Sequence, residues 1–328
     1  MRFAVLGAGA IGGYAGAALA RGGADVTLIA RGAHLAAMAS GGVRVLSPRG
    51  DFTAHPAATD DLAAAGEADV VFVALKAHSI PGIAPRLGPL LAPDAAVIWA
   101  QNGIPWWYPQ VLPEPLRGTR LESVDPGGVI AASIAPRHNV GCVLYCATEV
   151  IEPGVIRHIE GSRFTLGEPD GSPSQRCQEI SAAFTAGGLK APVATGPALA
   201  NQIWLKLVGN AAFNPITALT SSTLGELGEL PEMRDLLIAI FTECAAVAGR
   251  LGIEFPVTLE RRLEAALAVG NHKTSMRQDA EAGKPLELDC MTGAVAELAG
   301  KLGVDVPRLR TIYACAKLLD HLNQKTRK

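Results

Sequence analysis

Arg2-Phe3-Ala4-Val5-Leu6, followed by Gly7-Ala8-Gly9-Ala10-Ile11-Gly12, decides the fold. An apolar strand ends at Leu6 and runs straight into G-x-G-x-x-G. Gly7 permits a tight turn. Gly9 has no Cβ, so a pyrophosphate can approach the backbone, and Gly12 lets the next helix pack close to the strand. That helix continues as Tyr14-Ala15-Gly16-Ala17-Ala18-Leu19-Ala20. Its first amides face the phosphates, so Gly7, Gly9, Ala10, Ile11 and Gly12 are the expected contacts with a dinucleotide. A second strand, Asp25-Val26-Thr27-Leu28-Ile29-Ala30, completes the unit. The competing reading is an incidental glycine-rich turn, and the position between strand and helix argues against it.

The end of the second strand bears on cofactor choice. NAD-preferring sites carry an acid there for the ribose 2′-hydroxyl. Here the chain reads Ile29-Ala30-Arg31-Gly32, with no carboxylate. Arg31 can hold a 2′-phosphate with a forked, charge-assisted contact, which points to NADPH. Lys76 follows the strand Val70-Val71-Phe72-Val73-Ala74-Leu75 and can add a second positive charge. The bland alternative for both is a surface cation at a strand end.

Composition limits the other classes. The 328 residues suit about two domains of roughly 100–200 residues each. Hydrophobic residues make up 49% and charged residues 18%, enough for a large core and against disorder. A net charge of −2 without a long basic run argues against a nucleic-acid binder. The closing Lys325-Thr326-Arg327-Lys328 reads as a solvated basic end. The first twenty residues imitate a signal peptide, but the glycine phase explains them better. No run reaches the roughly 18 apolar residues that a bilayer span needs. Cys142, Cys146, Cys177, Cys244, Cys290 and Cys315 are scattered, with no CxxC pair and no Cys/His metal spacing. They read as reduced thiols of a cytoplasmic protein, and no metal is expected.

The two halves of the chain have different periods. Up to about residue 195 strands alternate with helices. Strands are expected at Val43–Leu46, Phe52–Ala54, Asp69–Leu75, Ala96–Ala100, Cys142–Val150, Val155–Ile159, Arg163–Leu166 and Pro192–Thr195. Glu152-Pro153-Gly154 forms an antiparallel turn, and a helix lies near Gln175–Thr185. From Pro197 only helices are expected: Ala198–Phe213, Glu232–Leu251, Thr258–Val269, Ser275–Ala282, Leu286–Leu302 and Pro307–Leu322. Gly252, Gly270, Gly283 and Gly303 punctuate them. The expected fold is an α/β Rossmann-type dinucleotide-binding domain over residues 1–196, followed by an all-α domain over residues 197–328 that binds substrate and dimerises. Such a pair puts the active site in the interdomain cleft.

Polar residues interrupt the first of those helices. In Trp204-Leu205-Lys206-Leu207-Val208-Gly209-Asn210-Ala211-Ala212-Phe213-Asn214-Pro215, the spacing puts Lys206 and Asn210 on one face. Asn214 continues the line if Pro215 does not end the helix. A lysine among apolar neighbours is costly unless it faces a polar site. The alternative is a solvated stripe, for which asparagine is a poor helix former. Asn102-Gly103 follows a strand at the carboxyl edge of the sheet, where ligands bind, although Asn-Gly is also a plain turn signal. Ser275 reads as a site residue or a helix cap. Glu287 and Asp289 read as site residues or as acids at a helix start.

Taken together, Gly7–Gly12, Arg31, Leu75-Lys76-Ala77, Gln101-Asn102-Gly103, Lys206 with Asn210 and Asn214-Pro215-Ile216-Thr217-Ala218, Thr274-Ser275-Met276 and Glu287-Leu288-Asp289 resemble the ketopantoate reductase (2-dehydropantoate 2-reductase) family over nearly the whole chain. The resemblance implies NADPH-dependent reduction of 2-dehydropantoate to (R)-pantoate, a step of pantothenate biosynthesis. It implies that Arg31 and Lys76 hold the 2′-phosphate end of NADPH, with Asn102 also near the cofactor. Lys206 is then the catalytic acid, assisted by Glu287, while Asn102, Asn210, Asn214 and Ser275 place the substrate. Its partners are a small 2-oxo acid and, compatibly with the helical half, a second copy of the chain; no nucleic acid or membrane partner is implied. The chain departs from the family pattern at Thr292-Gly293, where Asn-Gly is usual, at Leu224, where a polar residue is frequent, and at Ile104-Pro105-Trp106-Trp107-Tyr108, where small residues are usual. Those departures leave NADPH and Lys206 chemistry intact but keep open a paralogous reductase of another 2-oxo acid. Two further alternatives are an NADP(H) sensor without turnover, against which Lys206 and Glu287 speak, and a 3-hydroxyacid dehydrogenase of similar two-domain shape.

Overall fold

The structure, a computed structural model, describes residues 1–326. Of the basic tail, Arg327 and Lys328 lie outside the described residues. Packing divides the chain into two units, residues 1–101 with 127–199, and residues 102–126 with 200 onward. This differs from the sequence expectation in one segment. Residues 102–126 lie within the stretch expected to bind the dinucleotide, yet they pack with the helical unit, for reasons given below.

The first unit runs β1 (Arg2–Leu6), α1 (Ala10–Arg21), β2 (Asp25–Ile29), α2 (Gly32–Gly41), β3 (Val43–Leu46), β4 (Phe52–Ala54), β5 (Ala57–Thr59), α3 (Leu62–Ala65), β6 (Ala68–Val73), α4 (Ile80–Ile83), β7 (Leu91–Trp99), α5 (Val129–Ser133), β8 (Asn139–Glu152), β9 (Val155–Gly167) and α6 (Gln175–Ala186). The sheet order is β4-β3-β9-β8-β7-β6-β1-β2-β5. Within it, β5-β2-β1-β6-β7-β8 is entirely parallel. This is the doubly wound order, whose ligand crevice lies outside the carboxyl ends of β1 and β6. Both strands are almost continuously buried, as parallel strands covered on both faces must be. Phe3, Phe72, Phe164 and Phe184 meet at ring separations of 5.5 to 6.3 Å and seat α6 on the sheet.

Some elements differ from expectation. The two strands expected at Val155–Ile159 and Arg163–Leu166 are one strand, β9, whose pairing with β8 shifts register between Tyr145 and Cys146; a bulge absorbs the extra residue. Pro192–Thr195 forms only an isolated bridge, Leu166 with Val193. The unanticipated α2 and β5 are rich in alanine and glycine and carry little periodicity.

The second unit contains α7 (Ala198–Thr220, which begins at the end of the first), α8 (Pro231–Arg250), α9 (Leu259–Leu267), α10 (Ser275–Glu281), a π-helical turn Asp289–Gly293, α11 (Ala294–Leu302) and α12 (Pro307–Thr326). The expected helix Leu286–Leu302 is therefore an irregular lead, a π turn and then α11. Glu243 of α8, almost fully buried, caps α12 from outside. Its carboxylate accepts from the amides of Arg308 (3.1 Å) and Leu309 (2.8 Å), two donors that the first turn of α12 leaves unpaired. Among the described residues no helix is long and apolar enough to cross a membrane, and no cluster of three or more His, Cys, Asp or Glu side chains is gathered to hold a metal.

α7 continues past Pro215, although proline removes the N–H that would bond the Ala211 carbonyl. The hydroxyl of Thr292 donates to that carbonyl at 3.2 Å instead. Thr292 is 0% exposed, so the departure at this position serves the helix. Thr292→Val keeps the shape and deletes the donor. It is expected to lower unfolding stability by about 1–3 kcal/mol, read by chemical denaturation; an unchanged midpoint would show that the carbonyl needs no partner.

Candidate active site

In the nucleotide-binding unit the glycine loop is held by backbone bonds. The amides of Gly7 and Ala8 donate to the Ile29 carbonyl, both at 3.1 Å. Gly7 has φ +91°. A Cβ on Gly12 would come within 2.3 Å of the Gly7 carbonyl oxygen, so no side chain fits there. Gly9 is different: a Cβ there meets nothing within 4 Å. Protein packing does not demand a glycine at 9, whereas a ligand against the backbone does. Gly9 is the N-cap of α1 and offers no side-chain cap, and the first turn carries no acidic residue. The amides of Ala10, Ile11 and Gly12 therefore head a helix whose positive end suits a phosphate. Arg31 is exposed as the N-cap residue of α2, and Lys76 is half-buried just past β6. The residues present fit a dinucleotide.

The remaining candidates belong to the helical unit. Lys206 and Asn210 are half-buried on α7, and Asn214 is 4% exposed. Because α7 runs on through Pro215, the three occupy successive turns of one helix. Hydroxyls tie this helix to Ser275. Thr217 donates to the Asn214 carbonyl (3.1 Å), which leaves Thr274 to donate to Thr217 (2.6 Å). Thr274 in turn accepts from the Arg277 amide (3.2 Å), so the cap of α10 is Thr274 and not Ser275. Ser275 is the exposed first residue of that helix.

Glu287 is 7% exposed and is bracketed by anchors to α12. On one side the Leu286 amide donates to Asp320 (3.1 Å). On the other, Asp289 accepts from the Tyr313 hydroxyl and from Lys317 (3.1 Å). Burial pushes the Tyr313 hydroxyl pKa well above its usual value, and the bond to the Asp289 carboxylate adds to that. Asp289 is thus a structural member of its motif. The π turn that follows meets Asn102-Gly103. The Ile104 amide donates to the Cys290 carbonyl at 2.8 Å. Gly103 has φ +88°, and a Cβ on it would lie 2.2 Å from the Cys290 oxygen. This approach, with the bond from Trp204 to the Tyr108 hydroxyl (2.8 Å), explains why residues 102–126 pack with the helices. Desolvation pushes the Tyr108 pKa up, as expected of a fully buried phenol. Trp107 and Tyr108 are core residues, as is Leu224 at 8% exposed.

Within the helical unit the structure therefore links the segments that carry Asn102, Asn210, Asn214, Ser275 and Glu287, with Lys206 on the same helix as the asparagines. Sequence reading missed the parts that do the linking. Thr217, Thr274 and Thr292 carried no periodic signal. The glycine after Asn102 was the one visible sign of a close approach.

This fold and this donor set define a dinucleotide-dependent oxidoreductase. The family described as ketopantoate reductase PanE/ApbA matches residues 3–171, and its C-terminal part matches residues 198–320. A 2-dehydropantoate 2-reductase of Mesorhizobium japonicum is 42% identical over 97% of this chain and 98% of its own. Another from Halobacterium salinarum is 30% identical over 97% and 98%. A crystal structure of a 2-dehydropantoate 2-reductase from Geobacter metallireducens has TM-score 0.84 at 27% identity, covering 97% of this chain and 99% of its own. The chain belongs to the ketopantoate reductase family.

Gly103→Ala tests the link between the π turn and Asn102. It is expected to raise the KM for the 2-oxo acid roughly five- to a hundredfold, because strained backbone and a displaced loop together cost about 1–3 kcal/mol. A wild-type KM would separate Asn102 from substrate placement.

Proposed function

We propose that this chain reduces 2-dehydropantoate to (R)-pantoate with NADPH, a step of pantothenate biosynthesis. One observation carries the reading: a lysine, amides and a buried carboxylate lie on mutually bonded segments of one unit. The 42% identity to a 2-dehydropantoate 2-reductase over 97% of the chain supports the substrate. We read the unit containing β1 to β9 as the NADP-binding domain, with Gly7, Gly9, Ala10, Ile11 and Gly12 on the pyrophosphate and Arg31 and Lys76 at the 2′-phosphate; Asn102, of the other unit, is read as a further cofactor contact. We read the helical unit as the substrate and dimerisation domain; Leu318 and Leu322, one turn apart on α12, stay half or more exposed at 58% and 50%. The cysteines are free thiols, which fits a reducing cytoplasm.

NADPH, when bound, supplies the hydride. Lys206 Nζ stabilises the negative charge that develops on the 2-oxo oxygen and gives that oxygen its proton. Asn210 and Asn214 add amide donors without competing for the proton. Ser275 and Asn102 orient the acid end. Glu287 accepts from the substrate hydroxyl, and a site built around that hydroxyl rejects analogues that lack it. The departure at Thr292 has a structural reason in its bond to the Ala211 carbonyl, so it does not by itself favour a different 2-oxo acid.

Lys206→Ala is expected to lower kcat by about 10²–10⁴ and to leave NADPH affinity intact. A folded variant with near-normal kcat would assign the proton to another donor. Arg31→Ala is expected to raise the KM for NADPH roughly ten- to a hundredfold, with NADH use nearly unaffected. Equal use of NADPH and NADH by the unmodified enzyme would contradict the role given to Arg31.

A further inference from the structure

We propose that His34 is a positioning residue of the dinucleotide site, clamping the glycine loop and the helix that carries Arg31 to the β8–β9 turn. The proposal rests on the reading that the loop holds a dinucleotide and Arg31 its 2′-phosphate.

The imidazole is used at both nitrogens. The Gly154 amide donates to His34 Nδ1 at 2.9 Å. An amide has only a proton to give, so Nδ1 carries the lone pair. Nε2 lies 2.9 Å from the Ala8 carbonyl oxygen, which can only accept. Nε2 therefore carries the proton and donates it. A single neutral tautomer satisfies both partners.

Both partners matter to the cofactor site. Ala8 is the middle of Gly7-Ala8-Gly9. Its amide is held by the Ile29 carbonyl at 3.1 Å, and its carbonyl by His34, so the peptide groups on both sides of Ala8 are fixed. A carbonyl bound to His34 is kept from turning toward an incoming phosphate, where its negative end would repel. The loop then leaves the anion to the amides of Ala10, Ile11 and Gly12 at the head of α1. On the other side, the Gly154 carbonyl accepts from the Arg44 amide of β3 at 2.9 Å. Gly154 lies so close to α2 that a Cβ on it would be 3.0 Å from the Cβ of Ala37. The turn Glu152-Pro153-Gly154 is thus a seat for α2. Arg31 caps that helix one turn before His34. Loop, hairpin and Arg31 are set in one register by one ring.

The test uses the full chain and direct NADPH titration, beside steady-state kinetics. His34→Leu removes both bonds. His34→Gln sets an amide N–H near the Nε2 position and keeps the donor to Ala8. His34→Asn reaches only the Nδ1 position. His34→Leu is expected to weaken NADPH about tenfold, with kcat at saturating NADPH unchanged. His34→Gln recovers most of that loss, and His34→Asn does not. Wild-type affinity in His34→Leu overturns the proposal. Should that variant not fold, the Gln and Asn variants decide it: tighter binding by Gln supports the clamp, and equal or reversed affinities overturn it. NADH titration of the unmodified protein runs alongside. Equal affinity for the two cofactors strikes the Arg31 reading and leaves the His34 comparison intact.

Discussion

One turn of π-helix, Asp289–Gly293, is the constraint around which the helical unit is arranged. A π turn breaks the regular ladder and frees backbone groups for tertiary partners. The Cys290 carbonyl takes the Ile104 amide, which brings in the Asn102-Gly103 loop. Thr292 repairs the bond that Pro215 costs α7, keeping Asn210 and Asn214 on one helix. Asp289 is held by Tyr313 and Lys317. Glu287, just ahead of the turn, is fixed from both sides while being nearly excluded from water.

The nucleotide-binding unit solves a different problem, the presentation of amides to an anion. Its sheet order sets a crevice at the carboxyl ends of β1 and β6. The Gly7 and Ala8 amides are tied to β2 and the Ala8 carbonyl to His34, and the amides presented are those of Ala10, Ile11 and Gly12 at the head of α1. Gln101 adds a further restraint, donating from its side chain to the Val73 carbonyl at 2.7 Å and so joining the end of β7 to that of β6.

Much of this was legible in the sequence. The strand, glycines and helix of residues 2–21 have a fixed physical reading, and the register of β1 with β2 and β6 bears it out. The change from strands to helices near residue 197 was visible as a change of period. The split of residues 102–126 was not, because it depends on a contact of Gly103 with Cys290, far away in the chain. Nor was the single strand β9, since a bulge erases alternation locally. Ser275 and Thr274 were confused because both are good caps, and only the bond to the Arg277 amide separates them. The departures at Thr292 and Tyr108 looked like changes to a substrate pocket, yet each side chain makes a structural bond, Thr292 to the Ala211 carbonyl and Tyr108 with Trp204.

The central claim is that Glu287 recognises a substrate hydroxyl from a buried, rigidly held position. Its most direct test is kcat/KM with NADPH for 2-dehydropantoate and for the analogue lacking the 4-hydroxyl, in the unmodified enzyme and in Glu287→Ala, which removes the acceptor. The account predicts discrimination of about 10² or more in the unmodified enzyme, as in sites built to bind a hydroxyl, and a large loss of that ratio in the variant. Equal loss for both substrates, with the ratio intact, would contradict it and assign Glu287 to the fold or to Lys206.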